Sequence, residues 1–177
     1  MKTVQTYDWS QFEVVFYYDE STDNLMQYWA TPSGLESFFI EEAHFRPVAG
    51  VPRAAGEFVQ AGDRYRWVWR HSFAVEGEIL AVRKNEEISF TFGSMKVSVY
   101  FSQVGNQTEL RLVQTEIPES DDGRIFGHLN CRSCWVFFLT NLKSVVATGL
   151  DLRDPNPERV SAMEVGFEPL SRRVLEV

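Results

Sequence analysis

The hydrophobic and polar positions change period several times along the chain. Gln11 to Tyr18 reads QFEVVFYY, rich in β-branched and aromatic residues, and Asp19-Glu20-Ser21 closes it. This predicts a first strand. Ser21 or Thr22 is placed to cap a short helix carrying Leu25, Met26, Tyr28 and Trp29. Thr31-Pro32-Ser33-Gly34 interrupts that helix, and Pro32 suits a first helical position, so Leu35 to Phe39 predicts a second short helix. Ile40 to Val48 reads as a strand, followed by a loop holding Gly50, Pro52 and Gly56.

From Glu57 to Glu116 the period is two almost throughout. Tyr65, Trp67, Trp69 and His71 share one face, and Arg64, Arg66, Val68 and Arg70 the other. Phe73 to Val82 follows, with Phe73 and Val75 on the inward parity and Glu76 and Glu78 on the other in the stretch beyond them. Arg83-Lys84-Asn85-Glu86, Gly93-Ser94 and Gly105-Asn106 are turns between strands carrying Ile88, Phe90 and Phe92, then Val97, Val99 and Phe101, then Leu110, Leu112 and Gln114. Strands joined by such short turns form an antiparallel meander. One polar and one apolar face per strand means a sheet covered on one side.

Pro118 to Asp122 marks a helix start. Cys131, Cys134, Trp135, Phe138, Leu139, Leu142, Val145 and Val146 then share an arc of roughly 140° at helical spacing, and Gly149 stops the helix. Ile125, Phe126 and Leu129 fall off that arc, and Gly123 and Gly127 are poor helix formers. The first turns are therefore expected to depart from a regular helix. Phe137 also points off the stripe and is a candidate contact for the tail or for a second subunit, or a singly exposed apolar residue. After Leu150 the pattern changes at Asp154-Pro155-Asn156-Pro157. Glu158 to Val165 reads as a short helix, and residues 151–177 as an appendage packed on the domain or partly mobile.

The expected fold is thus α+β: a curved antiparallel sheet of six to seven strands gripping one long C-terminal helix, with two short helices after the first strand, over residues 1–150. A half-polar sheet needs a cover, and only the long helix is long enough to supply it. A curved sheet wrapped on one helix leaves space between them. Its expected lining is Trp67, Trp69, His71, Phe90, Phe101, Leu112, Gln114, Cys131, Trp135 and Phe138, an aromatic, mostly apolar set suited to a small molecule. The competing reading is that these rings simply fill the space.

Length allows one domain: 177 residues can bury roughly 70% of the extended chain's surface without disulfides or a metal. Net charge is −8, which argues against nucleic acid and anionic lipid partners. No apolar run approaches the ~20 residues of a membrane span, and the first ten residues lack signal-peptide regions, so a cytoplasmic protein without stable membrane association is expected. Cys131 and Cys134 stand three apart. A redox pair or, with His128, a metal site would need a strand-to-helix position or a second ligand pair, and both are missing. They read as small apolar residues of a reducing compartment, and no metal or cofactor is expected.

Several pieces occur together in an order that resembles the helix-grip fold of the birch pollen allergen, lipid-transfer START domains and polyketide cyclases. They are Tyr28-Trp29-Ala30-Thr31-Pro32 to Leu35; Ala61-Gly62-Asp63-Arg64-Tyr65-Arg66-Trp67; Gly77-Glu78-Ile79-Leu80; Ile88-Ser89-Phe90-Thr91-Phe92; and Trp135, Leu139, Asn141, Leu142, Lys143 and Gly149. The branch is similar to the C-terminal domain of the activator of heat-shock-protein-90 ATPase, over about residues 10 to 150. The resemblance implies binding of hydrophobic or amphipathic small molecules in a central cavity, with chaperone contact a weaker implication.

Three function classes follow. In a binding protein, His71, Arg70 and Gln114 would orient a polar head, although for His71 the favoured reading is a hydrogen-bonded histidine at a strand end. A cyclase- or hydrolase-type enzyme would need His71 or His128 as its base, the only plausible bases at the cavity. His44 alternates with Ala43 and Phe45 and is expected to face solvent. No nucleophile turn or phosphate loop is present. An interaction module would use the acidic exterior, Phe137 or the tail, and a homodimer would pair the first strand or the tail across a two-fold axis.

Overall fold

The structure is a computed structural model and describes residues 7–69, 73–156 and 158–159. In chain order the elements are β1 (Phe12–Tyr18), α1 (Thr22–Ala30), α2 (Pro32–Phe38), β2 (Glu42–Arg46), β3 (Arg64–Val68), β4 (Ala74–Arg83), β5 (Glu87–Phe92), β6 (Met95–Val104), β7 (Gln107–Thr115), a π-helical segment (Gly123–Asn130) and α3 (Cys131–Thr148). The strands form one curved antiparallel sheet in the order β1-β7-β6-β5-β4-β3-β2, and α3 lies across its concave face. The fold is α+β, with the two short helices after the first strand.

Local chemistry explains the elements. Ser21 caps α1 by accepting from the Asn24 N–H at 3.2 Å. Thr31 serves two helices: its hydroxyl donates to the Gln27 carbonyl (2.8 Å) and accepts from the Gly34 N–H (3.1 Å). Gly34 is required at this corner, because a Cβ there would sit 2.2 Å from the Gln27 carbonyl oxygen. Gly93 and Gly105, each first in a two-residue turn with φ near +60°, supply the positive φ that a tight hairpin demands. The outer edge of β2 is blunted: the Glu36 carboxylate accepts from the Ala43 N–H and the Arg53 N–H donates to the Phe45 carbonyl.

Two expected boundaries move. The second strand runs only from Glu42 to Arg46, because Phe39 and Ile40 still close α2 through bonds to the Leu35 carbonyl. Residues 57–63 are loop rather than strand. Asp63 organises them from a buried position, accepting from the Gln60 N–H and from the Arg53 guanidinium at 2.8 and 3.0 Å.

The final helix is not uniform. Gly123 to Asn130 winds as a π-helix, whose wider turns explain why Ile125, Phe126 and Leu129 miss the arc of α3. Those three side chains are exposed, while Gly123, Gly127 and His128 face inward. At Gly127 a Cβ would meet Ile117 at 2.9 Å and the Met95 sulfur at 3.1 Å, so the glycine permits close packing on the sheet. Gly149 ends α3 in the left-handed conformation with φ +73°.

Beyond α3 the chain is held at its first residues. Fully buried Asn141 donates to the Phe38 carbonyl and to Asp151, and accepts from the Leu152 N–H at 2.6 Å. Arg153 donates to the Ile40 and Glu36 carbonyls and pairs with Asp151. The expected helix over 158–165 falls almost wholly outside the described residues, as does the rest of the tail.

Candidate functional site

A cavity of about 400 Å³ opens between the sheet and the first half of the final helix. Trp69 follows β3, Phe73 and Val75 enter β4, and Phe92, Gly93 and Met95 form the β5–β6 hairpin end. The π-helical segment and α3 add Phe126, Gly127, Asn130, Cys131, Cys134, Trp135 and Phe138, and Phe39 closes the inner end. The inner walls, Phe39, Trp69, Trp135 and Phe138, are buried; Phe73 and Phe126 at the mouth are exposed. Apart from the two thiols, Asn130 supplies the one polar side chain of this lining.

The rings that form the inner end are ordered against one another. Phe39 stacks on Trp135 at 5.0 Å between centroids and stands edge-on to Trp69 (5.2 Å) and Phe138 (4.8 Å). Trp135 is fixed by its indole N–H, which donates to Gln114 Oε1 at 2.8 Å. Gln114 is itself fully buried and donates through Nε2 to the Gly127 carbonyl at 2.9 Å, so one amide ties the sheet to both parts of the helix. Burial pushes the Cys131 thiol upward, a hydrogen bond from Gln114 offsetting part of that.

A second, smaller cavity of about 330 Å³ lies behind the same three rings, Phe39, Trp69 and Phe138. Its other walls are mostly polar, Glu36, Glu41, Asp151, Arg153 and Asp154, with Ile40 and Pro155. Hydrogen bonds from Arg153 and Asn141 outweigh the burial of Asp151 and hold its carboxyl below the usual carboxylate range. An apolar chamber and a charged one thus share an aromatic partition.

Of the residues the sequence suggested, Trp69, Cys131, Trp135 and Phe138 stand together in the wall of the apolar cavity. Gln114 stands behind Trp135 rather than in the lining. Trp67, Phe90, Phe101 and Leu112 are on the expected concave face but pack into the interior. Trp67 is covered by Tyr65, Phe90 and Phe39, and Leu112 lies between Val14 and Val99 in the ladder. His71 lies outside the described residues, with Arg70. His128 is turned away from the cavity, a correction to its reading as a cavity base. Its ring nitrogens meet the Tyr7 hydroxyl (2.7 Å) and the Trp9 carbonyl (3.1 Å), and Phe12 packs on the ring. His44 faces solvent beside Glu42, and Phe137 is half-buried against Phe138.

Phe39, Met95, Phe126 and Cys134 were absent from the suggested lining. Cys134 shares the helical arc with Cys131 and was findable from it. Phe39 sits just past α2, where no periodicity assigns a face, and Phe126 needs the π-helical turn to reach the mouth.

Residues 20–147 match the family described as activator of Hsp90 ATPase homolog 1-like protein. The chain belongs to that family. Its structural relatives are distant in sequence and close in fold. A Staphylococcus saprophyticus protein superposes with a TM-score of 0.62 at 15% identity, over 80% of this chain and 96% of its own. The protein described as the Aha1 dimer of Colwellia psychrerythraea gives 0.62 at 16%, over 78% and 97%. A protein from the dynemicin biosynthetic locus gives 0.63 at 13%, over 80% of this chain and 49% of its own. No curated protein matches the sequence. This family member has no helix among its described residues long and apolar enough to cross a membrane, and no group of three or more His, Cys, Asp or Glu side chains able to hold a metal.

Proposed function

We propose that the protein binds a hydrophobic or amphipathic small molecule in the cavity between the sheet and the final helix. The observation that carries this is the apolar chamber of about 400 Å³, walled by Trp69, Phe92, Trp135 and Phe138 and entered between Phe73 and Phe126. Its size and lining suit a ligand of drug-like dimensions held by area, with few polar groups to orient it. The same fold occurs in a protein of the dynemicin biosynthetic locus, which is consistent with ligand handling. Among the described residues an enzymatic reading lacks a comparable observation, since His128 is spent on the N-terminal segment and His71 lies outside them. The family description names activation of an ATPase, and the cavity's chemistry does not bear on that activity.

The test is titration with the neutral dye N-phenyl-1-naphthylamine, followed by its fluorescence. Saturable binding at one site per chain is expected, and Cys134→Trp, which fills the chamber, should abolish it while the protein remains folded by circular dichroism. Binding unaffected by that substitution would place the dye elsewhere and remove the reading.

A second reading concerns assembly. β1 is a seven-residue sheet edge whose outer face exposes Val15 and Tyr17, and a relative of this fold is described as a dimer. We infer a homodimer through β1, tested by mass in solution for the full chain and for Val15→Lys. A monomer at all concentrations would contradict it.

A further inference from the structure

The interior holds two indole N–H groups without a hydrogen-bond acceptor among the described residues, those of Trp29 and Trp67. Both residues are about 1% exposed. The contrast with Trp135 is direct, because its equally buried indole is satisfied by Gln114. A buried donor left unpaired is costly, and such groups are rare in folded proteins. The two belong to separate elements, α1 and β3, yet they share a neighbour. The Phe39 ring lies 6.4 Å from the Trp29 ring and 5.6 Å, edge-on, from the Trp67 ring. Phe90 stands edge-on to Trp67 at 4.9 Å. An aromatic face is at most a weak acceptor for such a donor.

Phe39 is also the residue that closes the inner end of the apolar cavity. Neither Trp29 nor Trp67 lines that cavity; Phe39 is the one lining ring that contacts both, Trp135 also meeting Trp29 at 6.0 Å and Trp69 meeting Trp67 at 6.4 Å. The Phe39 backbone is held as the C-cap of α2, with its N–H donating to the Leu35 carbonyl at 2.8 Å, so any displacement is of the side chain alone. A rotation of this one side chain would join the chamber to a pair of unused donors.

We propose that the Phe39 side chain is a displaceable plug, and that the indole N–H of Trp29 or of Trp67 donates to an acceptor oxygen of a flat apolar ligand that takes its place. The inference rests on the cavity reading above and names the ligand class: an aromatic or polyenoic molecule carrying a carbonyl or similar neutral oxygen at its leading end. The apolar walls supply area and discriminate little, while the buried donors reject analogues that lack the oxygen. The polar cavity behind Phe39, Trp69 and Phe138 does not enter this argument, because its Arg153 donors are already engaged by Asp151, Ile40 and Glu36.

The experiment uses the full chain with two probes, 2-acetylnaphthalene and 2-ethylnaphthalene, which differ in the oxygen. Dissociation constants are measured for wild type, Trp29→Phe and Trp67→Phe. The ketone's affinity relative to the hydrocarbon should fall about tenfold in at least one variant, the size expected for one neutral hydrogen bond in a buried site. A ratio unchanged within twofold in both variants would overturn the proposal while leaving the cavity reading intact. Failure of both probes to bind wild type would remove both. Where a variant does not fold, the wild-type indole N–H resonances decide: a downfield shift of the Trp29 or Trp67 signal with the ketone and not the hydrocarbon supports the proposal, and identical spectra overturn it. In Phe39→Leu, the smaller side chain should tighten ketone binding several-fold; unchanged or weaker binding would remove the plug.

Discussion

Replacing Gln114 by Leu isolates the one polar side chain that organises the cavity wall. The two side chains are similar in volume, so the change deletes hydrogen bonds with little change of packing. Gln114 is fully buried, accepts from the Trp135 indole at 2.8 Å, and donates to the Gly127 carbonyl at 2.9 Å and toward the Met95 sulfur at 3.1 Å. Leu leaves the Trp135 N–H unpaired in the interior, at a cost of about 1–3 kcal/mol, and removes the Gly127 bond, about 1 kcal/mol more. Ordering Leu costs less side-chain entropy than ordering Gln and buries more apolar surface, together returning about 1 kcal/mol. The net expectation is a loss of about 2 kcal/mol. For a chain of this length that corresponds to a fall of about 4–8 °C in Tm. Urea unfolding followed by tryptophan fluorescence, with an unchanged m-value, measures it. Because Trp135 loses its orientation, N-phenyl-1-naphthylamine should also bind more weakly. A loss under about 0.5 kcal/mol, within the range of surface substitutions, would show that this amide does not hold the wall.

Other consequences can be checked separately. Asp63→Ala removes one of the two carboxylates bonded to the Arg53 guanidinium, the other being Glu57, together with the acceptor of the Gln60 N–H; the loss should be about 2–3 kcal/mol, and a value under about 0.5 would mean the pair is effectively solvated. The Cys131 thiol lies above its ordinary value, so its alkylation by iodoacetamide should be slower than that of a free thiol at neutral pH and keep rising past pH 9. A plateau below pH 8.5 would contradict the burial argument, and bound ligand should slow the reaction further. The Asp151 carboxyl is depressed in the folded protein, so its contribution is present above the unfolded value of about 4 and is lost as pH falls through the lower folded one. The stability difference between wild type and Asp151→Asn should therefore be constant from pH 5 to 8 and shrink below pH 4. A gap that persists to pH 3 would sink the assignment.

The architecture was legible because its determinants are local. The cap at Ser21, Pro32 at the head of α2, the glycine turns at Gly93 and Gly105, and the strict alternation of Leu110, Leu112 and Gln114 each identify an element without tertiary information. Alternation also identified the concave face correctly. It could not say where along that face the helix packs tightly and where it stands off. Trp67, Phe90, Phe101 and Leu112 share the inward parity of Trp69 and Phe92, yet they are buried in the core, Trp67 under Phe39, Tyr65 and Phe90. The mouth depended on a π-helical segment, whose winding moves Phe126 to a position that a 100° repeat does not give it. Asn141 was hidden for a different reason: a lone amide in an apolar stripe has no signature until the Phe38 carbonyl and Asp151 are seen beside it.

Whether the cavity holds a small molecule is read out by native mass spectrometry of the protein purified from its own source. The expected result is a 1:1 adduct that disappears on denaturation, releases a compound carrying a neutral oxygen on an apolar frame, and is absent from Cys134→Trp. A clean mass of the bare chain, together with no saturable uptake of N-phenyl-1-naphthylamine, would contradict it.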